Sequence, residues 1–220
     1  MTLISNVIAD NFIVLAADQR RAFNIGSESG DLADDVNKLF VGNNYCMGIQ
    51  GDVSNTENIY LNKLKAFISD NKTLNPLDLN EKLQNYFNLP FFDTKVTELN
   101  LSISGFIDNS LFSFYYDIKN DIIKNCLIDD EYGVRFNNTS EREELFDRSF
   151  IHIHNYLSDL QEEESDEIIY FQLRHLPIEK IINALKFMYA KFSDDESVAL
   201  VGGQMNYCII TPSSLELHIN

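Results

Sequence analysis

Positive charge is scarce in this chain of 220 residues: 17 Lys and Arg stand against 34 Asp and Glu, a net charge of −17. A nucleic-acid surface needs a basic patch to neutralise phosphates, so the charge balance disfavours that class. An anionic membrane would repel the chain as well. Long hydrophobic runs are missing, and none approaches the ~18 residues a membrane helix needs. The first residues also lack the basic start and apolar run of a signal peptide. Cysteine is rare. Cys46, Cys126 and Cys208 are far apart and odd in number, which argues against a disulfide framework and for a reducing, cytoplasmic setting. No CxxC spacing is present. The one histidine pair, His152 and His154, falls in a predicted helix, where positions i and i+2 face different ways. No metal or cofactor is expected.

The chain does have enough apolar surface to fold. Hydrophobic residues make up 45% of it, and this length fits a single domain, residues 1–220, with a substantial core. The acidic run from Gln161 to Glu167 reads as a solvated loop or helix end.

The opening stretch, MTLISNVIADNFIVLAADQRR, reads as a hairpin. Leu3 to Ala9 and Phe12 to Ala17 are strands, and Asp10-Asn11 is the turn. The second strand is almost unbroken apolar sequence, as in strands buried on both faces. Gly26 to Asp35 is rich in Gly, Ser and Asp and reads as a loop. A second hairpin follows, KLFVG and YCMGIQG, joined at Asn43-Asn44. Ile59, Leu64, Phe67 and Ile68 then give a helical face between Ser54 and Asp70. Another helix starts near Pro76, at a first-turn position, and runs to about Phe87.

Strands resume from Glu98 to Ile107, where Leu99, Leu101 and Ile103 alternate. LFSFYYDI follows a turn at Asp108-Asn109, and IIKNCLI follows a turn at Lys119 to Asp121. Two longer helices come next, Glu141 to about Leu160 and one from Pro177 carrying Ile181, Ile182, Leu185, Met188 and Phe192. MNYCIIT and LELHI close the chain as strands. Strands and helices thus come in blocks, which disfavours a parallel βαβ sheet. An α+β fold is expected. Two antiparallel sheets stacked face to face, with a helix pair outside each, bury every apolar face in a four-layer αββα sandwich.

A hydroxyl residue at the start of such a layout resembles the N-terminal nucleophile hydrolases. MTLISNVIADNFIVLAADQRR followed by KLFVGNNYCMGIQGD resembles the first two hairpins of a proteasome β subunit or its bacterial ring-peptidase relative. The likeness is specific over residues 2–52 and looser over 96–128 and 177–220. It implies that Thr2 is the nucleophile, Asp18 the acid, Arg20 the family's Arg and Lys38 its Lys. Gly51 falls on the oxyanion glycine, with Gly48 as the alternative register. Asp194 and Ser197 have the spacing of the family's Asp-x-x-Ser, but VALV separates Ser197 from Gly202-Gly203, and an ungapped match places Val198 and Val201 there instead. The family's Gly-Ser-Gly stretch has no counterpart in GVRFNNTSEREEL, where Ser140 is the nearest stand-in.

The chemistry that the resemblance implies is self-consistent. A Thr hydroxyl needs a base, and a free α-amine with a pKa of roughly 7.7–8.0 can be that base on the same residue. A buried Lys38 ammonium nearby, paired with Asp18, lowers the hydroxyl and amine pKa values by like-charge repulsion. The expected arrangement places the Thr2 hydroxyl, the Lys38 ammonium and an Asp18 oxygen within a few ångströms. Loss of Met1 exposes the amine. The implied activity is a threonine-type peptidase acting on peptide or protein substrates. It implies a homo-oligomeric ring or other closed assembly and an ATP-dependent unfoldase as partner. Two alternatives stay open: a catalytically degenerate structural subunit, and a small-amide amidohydrolase of the same fold.

Overall fold

Ile4–Ile8 (β1) and Ile13–Ala17 (β2) pair antiparallel with Ile4 opposite Ala17 and Val7 opposite Val14. The Ala9 N–H donates to the Phe12 carbonyl at 2.9 Å and closes the turn. Every residue of both strands is buried, as expected for the unbroken apolar β2, and β1 buries Ser5 and Asn6 as well. The computed structural model describes residues 2–9, 11–22, 32–51, 59–73, 75, 78–87, 99–117, 120, 122–125, 135–139, 143–159, 176–198 and 201–220.

Two five-stranded antiparallel sheets organise these residues. The first joins β1 and β2 to β10 (Arg135–Thr139), β11 (Asn206–Ile210) and β12 (Leu215–His218), in the order β10-β1-β2-β11-β12. The second contains β5 (Leu39–Val41), β6 (Tyr45–Gly51), β7 (Leu99–Ile107), β8 (Ser110–Asp117) and β9 (Ile122–Asn125), in sequence order. A two-stranded pair, β3 (Arg20–Ala22) and β4 (Leu32–Asp34), stands apart. The helices are α1 (Ile59–Asp70), α2 (Leu79–Phe87), α3 (Glu143–Asp159) and α4 (Ile178–Ser193). The fold is mixed α+β, and no described helix is long and apolar enough to cross a membrane.

Alternation along the strands divides the apolar side chains into three clusters. Leu3 and Val7 of the β1 segment pack with Leu145 and Ile153 of α3 and with Leu185, Met188 and Phe192 of α4. Their neighbours Ile4 and Ile8 belong to a cluster drawn from both sheets, with Leu15, Cys208, Leu39, Cys46 and Phe106. Met47, Leu101 and Ile103 pack with Phe67 and Ile68 of α1 and Leu83 of α2. A polar link joins the two sheets inside this apolar surround. The Asn6 side-chain N–H donates to the Ser104 hydroxyl at 2.9 Å and the Ser113 hydroxyl at 2.7 Å.

The two hairpins, the turn at Asp108-Asn109 and the closing strands fall where the sequence places them; both turn residues take positive φ. Three strands were not expected, β3, β4 and β10. β10 has the sequence RFNNT, which lacks alternation and carries two turn-forming Asn, yet it pairs with β1 at the sheet edge. β4 lies in the stretch read as a loop and pairs with β3, Arg20 opposite Asp34. Residues 26–31 of that stretch, Gln161 to Glu167, Cys126, Ser140 and Pro76 lie outside the described residues.

Candidate active site

Asp18 follows the last residue of β2 and is fully buried, while Lys38 precedes β5 and is 2% exposed. Two lone charges there would be costly, and the structure pairs them. The Lys38 ammonium donates to Asp18 Oδ2 at 2.9 Å and to the Arg20 carbonyl at 2.6 Å. The same carboxylate accepts the Leu3 N–H on Oδ1 at 2.9 Å and the Arg20 N–H on Oδ2 at 3.1 Å. Three donors on one carboxylate compensate its burial. They also tie the start of β1, the end of β2 and the approach to β5 to one point. Thr2 is the residue joined to that anchored Leu3 N–H, and it is itself buried. Asp18 and Lys38 are thus brought together, and the residue after Thr2 is bonded to Asp18.

The sheet ladders extend this convergence. The Ile49 N–H donates to the Lys38 carbonyl at 3.0 Å, which sets Lys38 across from the last turn of pleat before Gly51. Gly51 ends β6 with φ 115°, a backbone conformation that favours glycine. Gly48 has a different reason to be glycine. A Cβ there would lie 3.2 Å from Ile4 Cγ2, so the absent side chain lets β1 approach β6.

Arg20 contributes its backbone to the Asp18–Lys38 pair and sends its side chain elsewhere. Its Nε and Nη2 donate to Asp34 Oδ1 and Oδ2 at 2.7 and 2.9 Å. The hydrogen bond from Arg20 holds the Asp34 carboxyl below its ordinary value, with the Arg20 charge adding to the effect. The guanidinium also occupies the space beside Gly202, where any Cβ would overlap it. The Gly202 carbonyl accepts the N–H groups of Gln19 and Arg20, each at 3.1 Å. Gly202 and Gly203 therefore dock against the segment that carries Asp18.

Asp194 and Ser197 are not joined to this centre by any hydrogen bond among the described residues. Asp194 caps the end of α4 and is exposed. The Ser197 hydroxyl donates to Asp195 Oδ1 at 2.6 Å and accepts from Arg148 at 3.4 Å. The Ser197 hydroxyl and N–H, with the paired Arg148, bring the Asp195 carboxyl down to about 2. Val198 and Val201, the residues of the ungapped match, are buried in the core against α4.

Three residues around the site were missed from the sequence. Tyr189 follows Met188 on the buried face of α4. Its buried hydroxyl lies 3.1 Å from the Leu3 carbonyl, the Ser5 hydroxyl and the Ala16 carbonyl, and so fastens the start of β1 to β2. Burial pushes that phenol well above its ordinary value. The Gln19 side chain donates to Asn206 Oδ1 at 2.9 Å and to the Asn220 carbonyl at 2.6 Å, which ties the last residue to the site strand. Gln50 precedes Gly51, is 2% exposed, and its amide oxygen has no hydrogen-bond partner among the described residues. No period or motif marks any of the three.

Other donor sets stand apart. His152 packs edge-on against Phe192, and burial lowers its pKa. Cys46 and Cys208 are buried free thiols, and burial pushes Cys46 up. Among the described residues no three His, Cys, Asp or Glu side chains form a metal-binding group. Compared with protein-family models and with curated proteins, the chain matches none.

Proposed function

We propose that the chain is a threonine-type N-terminal nucleophile peptidase of the proteasome-like class. One observation carries the reading: the buried Asp18 carboxylate bonds both the Lys38 ammonium and the N–H of the residue after Thr2. A carboxylate–ammonium pair sealed at a strand end has little structural purpose that an apolar pair would not serve better. Beside a terminal threonine it has a chemical one. In a chain that begins at Thr2, the α-amine takes the hydroxyl proton as the oxygen attacks the scissile carbonyl carbon. The Lys38 charge favours the neutral amine and the developing alkoxide. The Gly51 N–H receives the oxyanion, a contribution of about 3 kcal/mol in other hydrolases. The C–N bond then breaks, the proton passes to the leaving amine, and an ester on Thr2 remains for water to hydrolyse.

The proposal includes a four-layer αββα arrangement. Its support is the cluster shared by the two sheets and the two further clusters that join each sheet to one helix pair. It also includes a closed homo-oligomer served by an unfoldase, since an exposed peptidase site endangers its own cell. The buried free thiols suit a reducing cytoplasm.

The commitment of the Ser197 hydroxyl to Asp195 favours a second reading, a subunit that keeps the fold and has lost turnover. Peptide-panel assays on a chain beginning at Thr2 separate the two. Turnover that disappears in Thr2→Ala, with fold and assembly intact, supports the peptidase. An inactive parent, or a Thr2→Ala form as active as the parent, removes it. Universal retention of Met1 in protein from the native host supports the degenerate subunit, and hydrolysis confined to small amides supports an amidohydrolase. Light scattering that finds only a 25.3 kDa monomer removes the assembly.

A further inference from the structure

Gln50 carries a buried amide oxygen without a hydrogen-bond partner among the described residues. Such an acceptor raises the free energy of the fold unless a donor reaches it. Its position identifies the donor. A Cβ on Gly48 would meet Ile4 Cγ2 at 3.2 Å and Cδ1 at 3.3 Å, so Ile4 of β1 lies against Gly48 of β6. Two residues on in extended chain, about 6.6 Å away, are Thr2, just before β1, and Gln50 of β6. Both steps run toward the same end of the molecule. Lys38 is opposite Ile49, Asp18 is beside Leu3, and Lys38 and Asp18 are bonded to each other. Thr2 and Gln50 therefore come at the same end of the gap between the two sheets. The Thr2 hydroxyl makes no hydrogen bond with the described residues.

We infer that Gln50 is a positioning residue whose amide oxygen accepts a hydrogen bond from the α-amine of a chain beginning at Thr2. This rests on the reading of Thr2 as an N-terminal nucleophile. The amide suits the task chemically. It is neutral, so it orients the amine without fixing it in the charged form, as a carboxylate in the same place would. An amine held this way keeps its lone pair available to the Thr2 hydroxyl.

The test is an NMR titration of isotopically labelled chain beginning at Thr2, following the Thr2 amine and the Gln50 side-chain amide together. The Gln50 resonances are expected to move with the same midpoint as the amine. Gln50→Glu is expected to raise that midpoint by about 1 unit, since a carboxylate favours the ammonium. The acid limb of kcat/KM against pH should move up with it. Gln50 resonances that stay flat through the amine titration overturn the inference. So does a folded Gln50→Glu variant with an unchanged midpoint. If Gln50→Glu does not fold, the titration of the unmutated chain decides alone. Coupled titration without peptide turnover removes the peptidase reading and keeps the contact. Turnover with uncoupled resonances does the reverse.

Discussion

The Asp18 carboxylate and the Lys38 ammonium lie 2.9 Å apart with almost no solvent on either. Among the described residues, the other hydrogen-bond partners of both groups are backbone atoms. Replacing Lys38 by Met should destabilise the fold by roughly 3–5 kcal/mol, because a buried carboxylate is left unpaired. The double variant Asp18→Asn with Lys38→Met should recover part of that loss. Urea unfolding of Lys38→Met, Asp18→Asn and the double variant measures it. An additive double variant would show that the two side chains do not act together.

Gly51 and Gly48 should respond differently to alanine. At Gly51 the φ of 115° strains any side chain, at a cost of about 1–3 kcal/mol, and turnover should fall with the displaced N–H. At Gly48 the new methyl presses on Ile4. Stability should drop while kcat of the remaining folded enzyme stays near the parent value. Paired thermal melts and kinetics resolve the two glycines. Loss of kcat at Gly48 alone would move the oxyanion site to that register.

Asp34 makes a pH-dependent contribution of known sign. Its folded carboxyl is held below the ordinary 3.8. The stability it adds is therefore present above the unfolded value and is lost as pH falls through the lower folded value. The side chain is 37% exposed, so solvent screening keeps the effect to about 1 kcal/mol or less. Asp34→Asn should lower stability at neutral pH and remove this part of the acid dependence. Urea midpoints from pH 7 down to pH 3 for both chains measure it. Parallel curves would count against the assignment.

Asp195 should titrate at about 2, chiefly because Ser197 donates its hydroxyl and N–H to it. Ser197→Ala should raise that midpoint, as read from the carboxyl carbon resonance. The same variant tests whether Ser197 serves Thr2. A Ser197 hydroxyl bound to Asp195 predicts unchanged peptide turnover.

Local pattern alone was enough to place most strands and helices, and the family resemblance named the residues for the site. The unbroken apolar run before Asp18 dictates a strand buried on both faces, and the spacing of Ile181, Ile182, Leu185, Met188 and Phe192 dictates one buried helix face. Both are short-range signals, because the backbone period decides which side chains share a face. What the periods leave open is which distant strand completes a ladder and which distant group satisfies a polar atom. RFNNT became a strand because β1 offered an unpaired edge. Tyr189 became a clamp on Leu3 because α4 lies over β1 and β2. Gln50 was buried because Ile4 settles against Gly48 and brings the two sheets together. Such partners lie far apart along the chain, and only the packing of one sheet against the other and of helices against each brings them within hydrogen-bonding distance.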